Sequence, residues 1–352
     1  SNQDFTSNTN QFGALNVRQS LSDVTDASAY VITSNSKTNT QQESINEYLL
    51  EGINFTEQRS NTNTIDNFFT IGKLTLDYDP NLKTDFAFNS FVKVTNNDAF
   101  GNTNTISPSL TNSIQTNNTV KAINLKHNIS FSKKLSKNHT ATIEATHSYQ
   151  NDKPITNWIT DQEILQGLIP LEDDVVYNIL QTQKARSNNL NAVVKDYWVV
   201  NNFNHIYTSI GANLSNNTFY NKDVQQLSDG TINDFASAGF GNDFKYDFTD
   251  LFLGLEYKFQ IGIATFKPAV YAHYYHWNTK QFDDKQSHNK TLLLPQFTTK
   301  IEFSNSEKLN LRYNVNANFQ TIDRLANNFI LSSFNSVFKG NESLENQLYH
   351  RA

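Results

Sequence analysis

The sequence predicts an all-β chain: a transmembrane antiparallel up-and-down β-barrel, about twelve strands of a larger barrel, with long extracellular loops. Three observations carry that expectation. Apolar and polar residues alternate with period two in segments of about ten residues, the length of a strand crossing a bilayer. Short turns and long polar stretches take turns as connections between those segments. About one residue in seven is Asn, against a few per cent in ordinary soluble domains, which favours turns, loops and wet surfaces.

Short turns fall at Ser22 to Asp26, Asp79 to Lys83, Lys133 to Asn138, Asn201 to Asn202, near Gly262, and at Ser304 to Glu307. Each joins two alternating runs, so the pattern reads as about six hairpins. In Ile123 to Phe131, apolar Ile123, Leu125, Ile129 and Phe131 alternate with Asn124, Lys126, Asn128 and Ser130. In Asp250 to Ile261 the apolar set is Leu251, Leu253, Leu255, Tyr257, Phe259 and Ile261, opposed mainly by Glu256, Lys258 and Gln260. Leu309 to Phe319 is the cleanest case, with Leu309, Leu311, Tyr313, Val315, Ala317 and Phe319 on one parity and Asn310, Arg312, Asn314, Asn316 and Asn318 on the other. The polar stretches 38–65, 96–118, 151–187, 217–247, 278–293 and 320–348 read as loops, always at the same alternate connection. So many long loops are unusual in a compact soluble domain and ordinary on the outer side of a barrel.

Aromatic residues accompany both strand ends. Tyr78, Phe131, Phe259 and Phe303 lie next to short turns, and Tyr149, Phe219, Tyr220, Trp277 and Phe319 lie at the far ends, as two interfacial rows would. Within one loop, Leu171 to Arg186 opens on Glu172-Asp173-Asp174 and spaces Val175, Val176, Ile179 and Leu180 in helical fashion, which predicts a small helix over the barrel mouth.

Composition removes several functions. The 352 residues contain no Cys, which excludes a disulfide scaffold, a thiolate metal site and a Cys nucleophile. A net charge of -6 with scattered lysines offers no footprint for nucleic acid. No apolar run approaches a membrane helix. The phosphate loop, the GxGxxG turn and the nucleophile elbow are all missing, so neither catalytic nor cofactor-binding residues are assigned and no enzyme is expected. His273 and His276 stand three apart, on opposite faces of a strand, which argues against a shared metal. The acidic residues Glu172 to Asp174, Asp223, Asp229, Asp234, Asp243, Asp247 and Asp250 lack the spacing of a Ca²⁺ loop and read as solvated carboxylates.

The run Ser28 to Ser34, the segment Leu74 to Asp79 leading into a turn, and Phe338-Lys339-Gly340-Asn341-Glu342-Ser343-Leu344-Glu345 resemble the outer-membrane β-barrel family related to TonB-dependent receptors. In that family the last segment reads Gly-Asn-Pro-x-Leu-Lys-Pro-Glu. Gly340, Asn341 and Leu344 match it, while Glu342 and Glu345-Asn346 depart from it. The resemblance implies an outer-membrane location in a Gram-negative bacterium, surface capture or uptake of a nutrient, a surrounding lipid phase, and an energy-coupling or surface protein as partner. No plug domain or coupling box is recognisable, so residues 1–352 read as a single barrel region within a longer chain, and 320–349 as a connection to a further strand outside it.

Parity then supplies the candidate residues. If the apolar set faces lipid, Glu256, Lys258, Arg312, Asn314 and Asn316 line a wet lumen. A barrel serving as scaffold in a surface or secretion complex, and a soluble secreted adhesin, are the competing expectations.

Overall fold

The computed structural model describes residues 2–50, 53–108 and 110–352. Nearly all of them lie in antiparallel strands. The long strands are β1 (Asn2–Ser22), β2 (Thr25–Leu50), β3 (Ile53–Asn81), β4 (Thr84–Ser107), β5 (Leu110–Lys134), β6 (His139–Thr160), β7 (Tyr177–Asn201) and β8 (Asn204–Gln226). After a short β9 (Ile232–Asp234) come β10 (Asn242–Ile261), β11 (Ala264–Gln281), β12 (Asp284–Glu302) and β13 (Lys308–Asn318). Three short strands close the series: β14 (Phe329–Ser333), β15 (Ser336–Lys339) and β16 (Gln347–Arg351). They form one 14-stranded sheet, ordered β1 to β8, β10 to β13, then β16, with β9 on the end of β8 and β14–β15 as a separate hairpin. Among the described residues the sheet does not close on itself: β1 pairs with β2 alone, and β16 with β13 alone.

All six expected short turns are present; in five of them a small polar side chain satisfies the turn backbone, and the sixth turns on Gly262 at φ 57°. Asn81 Oδ1 accepts from Lys83 N at 2.9 Å, and Asn201 Oδ1 accepts from Phe203 N at 2.9 Å. Twelve long alternating strands are present as well.

The long connections differ from expectation. Three of the six polar stretches are strand rather than loop. β2 and β3 stay in register from Thr25↔Tyr78 up to Leu50↔Ile53, β4 and β5 up to Ser107↔Leu110, and β11 and β12 up to Gln281↔Asp284. A stretch rich in Asn, Thr and Gln pairs its backbone as well as an apolar one when both of its faces are wet, so hydropathy carried no strand signal there. Among the described residues, genuine long connections remain only at 161–176, 227–241 and 319–346. The helix expected over 171–186 is absent. Residues from Tyr177 onward form β7, whose Ile179 and Gln181 point to one side and are buried, so sheet pairing overrides the helical spacing. After the 319–346 connection comes the short strand β16, pairing Asn314↔Arg351 to Asn318↔Gln347.

The two faces of the sheet are chemically distinct. On one, which we call outer, Leu251, Leu253 and Leu255 are 47%, 60% and 50% exposed. Register places Ile210 and Ala212 of β8, Val194 and Ala192 of β7, and Val270 and Tyr274 of β11 on that same face. These apolar positions occupy the half of each strand next to the short turns. Further along, the outer face turns polar: Thr249, Asp247, Lys245 and Asp243 follow on β10, and Asn188, Arg186 and Lys184 on β7.

Against the inner face pack the three long connections, and there the molecule has its core. Phe235 and Phe240 meet Ile179, Trp158, Ile114 and Leu331 in one cluster. Leu325, Ala326 and Ile330 meet Phe219, Phe244 and Tyr246 in another. Burying a side chain of this size contributes roughly 1.5–3 kcal/mol, so the segment carrying the one-turn helix α1 (Ile322–Leu325) and the β14–β15 hairpin is held as firmly as a core element.

Candidate functional site: the inner face and its packed mouth

Strand parity sets which side chains can reach the inner face. On β8 the odd positions Asn221, Asp223 and Gln225 point inward and are at most 2% exposed. Asn242 and Phe244 of β10 and Gln281 of β11 lie beside them in register or one rung away. The amides form a continuous hydrogen-bonded band across four strands. Gln281 Nε2 donates to Asn242 Oδ1 at 2.9 Å, Asn242 Nδ2 to Asn221 Oδ1 at 2.8 Å, and Asn221 Nδ2 to Asp223 Oδ2 at 2.8 Å. Gln181 Nε2 of β7 donates to Asp223 Oδ1 at 2.7 Å. Burial pushes the Asp223 carboxyl up to about 6, against the opposing pull of the Gln181, Asn221 and Leu331 N–H donors.

The same band ties the connections to the wall. Gln181 also donates to Leu331 O at 2.8 Å, and Asn328 N donates to Asn242 Oδ1 at 3.1 Å. Gln225 Oε1 accepts from Glu172 N at 2.8 Å and its Nε2 donates to Glu172 O at 2.7 Å, which fixes the 161–176 connection. Asp174 accepts from Ser228 N at 2.6 Å, and those bonds hold its carboxyl below the usual range. Asp234 caps the 3₁₀ turn Phe235–Ala238 and pairs with Lys222 at 2.8 Å. Asp174 and Asp234 thus serve separate caps and pairs. His273 Nδ1 meets Asp250 Oδ1 at 2.8 Å on the inner face, while His276 meets Asn278 on the outer.

An aromatic group lines the adjoining wall. Phe319 packs between Phe248, Tyr275 and Trp277, with ring centroids 4.9, 4.5 and 5.4 Å away. Phe219, Trp277 and Phe319, expected in an interfacial row, are therefore inner-face packing residues: Phe319 lies past the end of β13, where the alternation no longer binds it. Gly211 makes room for the Phe252 ring on the same face. A Cβ there would stand 2.4 Å from Phe252 Cζ.

Every sequence-derived lining candidate lies on the inner parity. Glu256 pairs with Lys267 at 2.8 Å, and Lys267 also stands 5.1 Å over the Tyr207 ring. Lys258 is opposite His205. Arg312 is exposed opposite Thr298, and Asn314 and Asn316 are half-buried on β13. The structure separates Glu256 and Lys258 from the β13 residues by β11 and β12, so they share a face without forming one cluster. The Gln181–Asp223–Asn242 band was missed because it lies in stretches read as loop. Its signal, Asn221-x-Asp223-x-Gln225, is a polar alternation that hydropathy does not register.

A seam interrupts the wall nearby. β13 pairs with β12 only between Lys308 and Asn314, leaving Asp284–Pro295 of β12 paired with β11 alone. Among the described residues no helix is long and apolar enough to cross a membrane, which has no bearing on strands. No protein-family model matches the chain, and no curated protein matches it.

Proposed function

We propose that the chain forms part of the wall of an outer-membrane β-barrel of receptor type, engaging a solute at the cell surface. The carrying observation is the outer apolar band. From Leu251 to Ile261 it runs ten residue steps, about 34 Å along the strand or about 25 Å in height at a tilt near 45°, which is the hydrocarbon span of such barrels. A water-exposed face of Leu251, Leu253, Leu255, Ile210 and Leu293 would be an aggregation hazard in a soluble adhesin. The polar inner face, with Glu256, Lys258, Arg312, Asn314 and Asn316, suits a wet passage. Lipid is the surrounding partner in this reading, and an energy-coupling or surface protein a further one.

One observation favours a scaffold reading instead: the connections that would capture a ligand are packed into a core with Phe235 and Leu331 at most 1% exposed. Carbonate washing of membranes tests the first reading. The protein should stay with the outer membrane and need detergent, and recovery as a soluble species overturns it. In intact cells, protease should cut within 161–176 and spare the turn at Leu82 and Lys83. A small ligand co-purifying in mild detergent then favours the receptor, and stoichiometric protein partners favour the scaffold.

A further inference from the structure

On the outer face of β4 to β7 the apolar band ends at a basic depression of about 280 Å³. Val94 and Ile123 form its lower side, and Asn96, Lys121, Asn151 and Lys153 its upper side. Register lines the polar residues up: Asn96 is opposite Lys121, Lys121 opposite Lys153, and Asn151 lies between Ile123 and Arg186. Lys121, Lys153 and Arg186 are exposed and take part in none of the ion pairs among the described residues. The carboxylate on this face of β4, Asp98, already accepts from Thr119 at 2.7 Å and from Asn96 at 3.5 Å. Asn96 Oδ1 and Asn151 Oδ1 are buried without a hydrogen-bond partner. Two lysines directly across a strand pair repel each other until an anion lies between them.

We propose that Lys121, Lys153 and Arg186, with Asn96 and Asn151, bind the phosphate of a membrane lipid whose acyl chains lie along Val94 and Ile123. The inference rests on the membrane reading given above. The cations sit immediately above an apolar surface, where a headgroup phosphate stands over its own chains, and basic groups at that level attract anionic lipid. Asn96 and Asn151 complete the polar side of the depression between the cations. A free phosphate would have no use for the apolar side.

The test uses the full chain in detergent, with lipid A as probe and native mass spectrometry as readout. Wild type should retain lipid A and not its dephosphorylated form. The triple variant Lys121→Gln/Lys153→Gln/Arg186→Gln should bind about a hundredfold more weakly, since each basic group near an anionic surface contributes roughly fivefold. Removing the same charge from the inner face, in Lys73→Gln/Lys93→Gln/Lys126→Gln, should leave binding unchanged. The charge-preserving Lys121→Arg/Lys153→Arg should retain the lipid even where the triple variant assembles poorly. Unchanged binding in the outer-face triple variant, equal loss in the inner-face one, or equal competition by inorganic phosphate overturns the proposal. Carbonate extraction of the wild type reports on the membrane reading separately, because loss of the lipid site leaves membrane partition intact.

Discussion

Gln181 of β7 donates from one nitrogen both to Asp223 Oδ1 on the neighbouring strand, at 2.7 Å, and to Leu331 O of the β14–β15 hairpin, at 2.8 Å. One amide thereby joins the wall to the segment packed inside it. Asp223 completes the junction by accepting from the Leu331 N–H, and it is a titratable group in a place water does not reach.

That junction should loosen as pH rises. The folded carboxyl titrates at about 6, above its ordinary 3.8, so the folded state binds the proton more tightly than the unfolded chain does. Its contribution is fully present below about pH 4, falls as pH passes through 6, and is flat above that. A shift of this size corresponds to about 3 kcal/mol. Hydrogen exchange at the Leu331 amide should therefore quicken between pH 4 and 7 beyond the intrinsic rate. Asp223→Asn, which has no charge to bury, should flatten the profile, and a slope unchanged in that variant would count against this account.

Gly340 should be intolerant of a side chain. Its N–H donates to Ala326 O at 2.9 Å, and Asn341 N donates to Arg324 O at 2.7 Å, so the Gly-Asn pair seals the end of α1. A Cβ at 340 would lie 2.3 Å from Ala326 O and 2.6 Å from Arg324 O, both backbone atoms with little room to move. Gly340→Ala should cost about 1–3 kcal/mol through overpacking. Limited proteolysis should then cut within 319–346 while β7 and β8 stay resistant. Wild-type resistance in that segment would show that it is held by other contacts.

The alternating halves of the strands were legible because one face is apolar and the other wet: Leu251 to Ile261 and Ile123 to Phe131 could be assigned by parity alone. The six tight turns were legible through their Asn, Asp, Ser and Gly. What could not be read was the far half of each strand. Asn35 to Glu43 pairs rung for rung with residues 60–68, yet neither face of it is apolar, and backbone pairing leaves no trace in side-chain hydropathy. The same blindness hid Asn221, Asp223 and Gln225. Leu331 reaches Asp223 from more than a hundred residues away and Glu172 binds Gln225 from 53 residues away, and no local pattern encodes contacts at such separations.

Leu255 and Glu256 offer the sharpest test of the parity itself, because they are adjacent and point to opposite faces. Leu255 is half exposed on the outer face, and Glu256 pairs with Lys267 on the inner one. In hydrocarbon, Leu255→Arg places a guanidinium near mid-span and should cost roughly 2–4 kcal/mol. Glu256→Gln gives up one partly hydrated ion pair and should cost no more than about 1 kcal/mol. Strand propensity and depth nearly cancel between neighbouring positions, so the difference isolates the two environments. Assembly yield and resistance to heat-induced unfolding of both variants in membranes would measure it. If Glu256→Gln proved as damaging as Leu255→Arg, the outer face would not be meeting lipid, and the apolar band would need a protein cover instead.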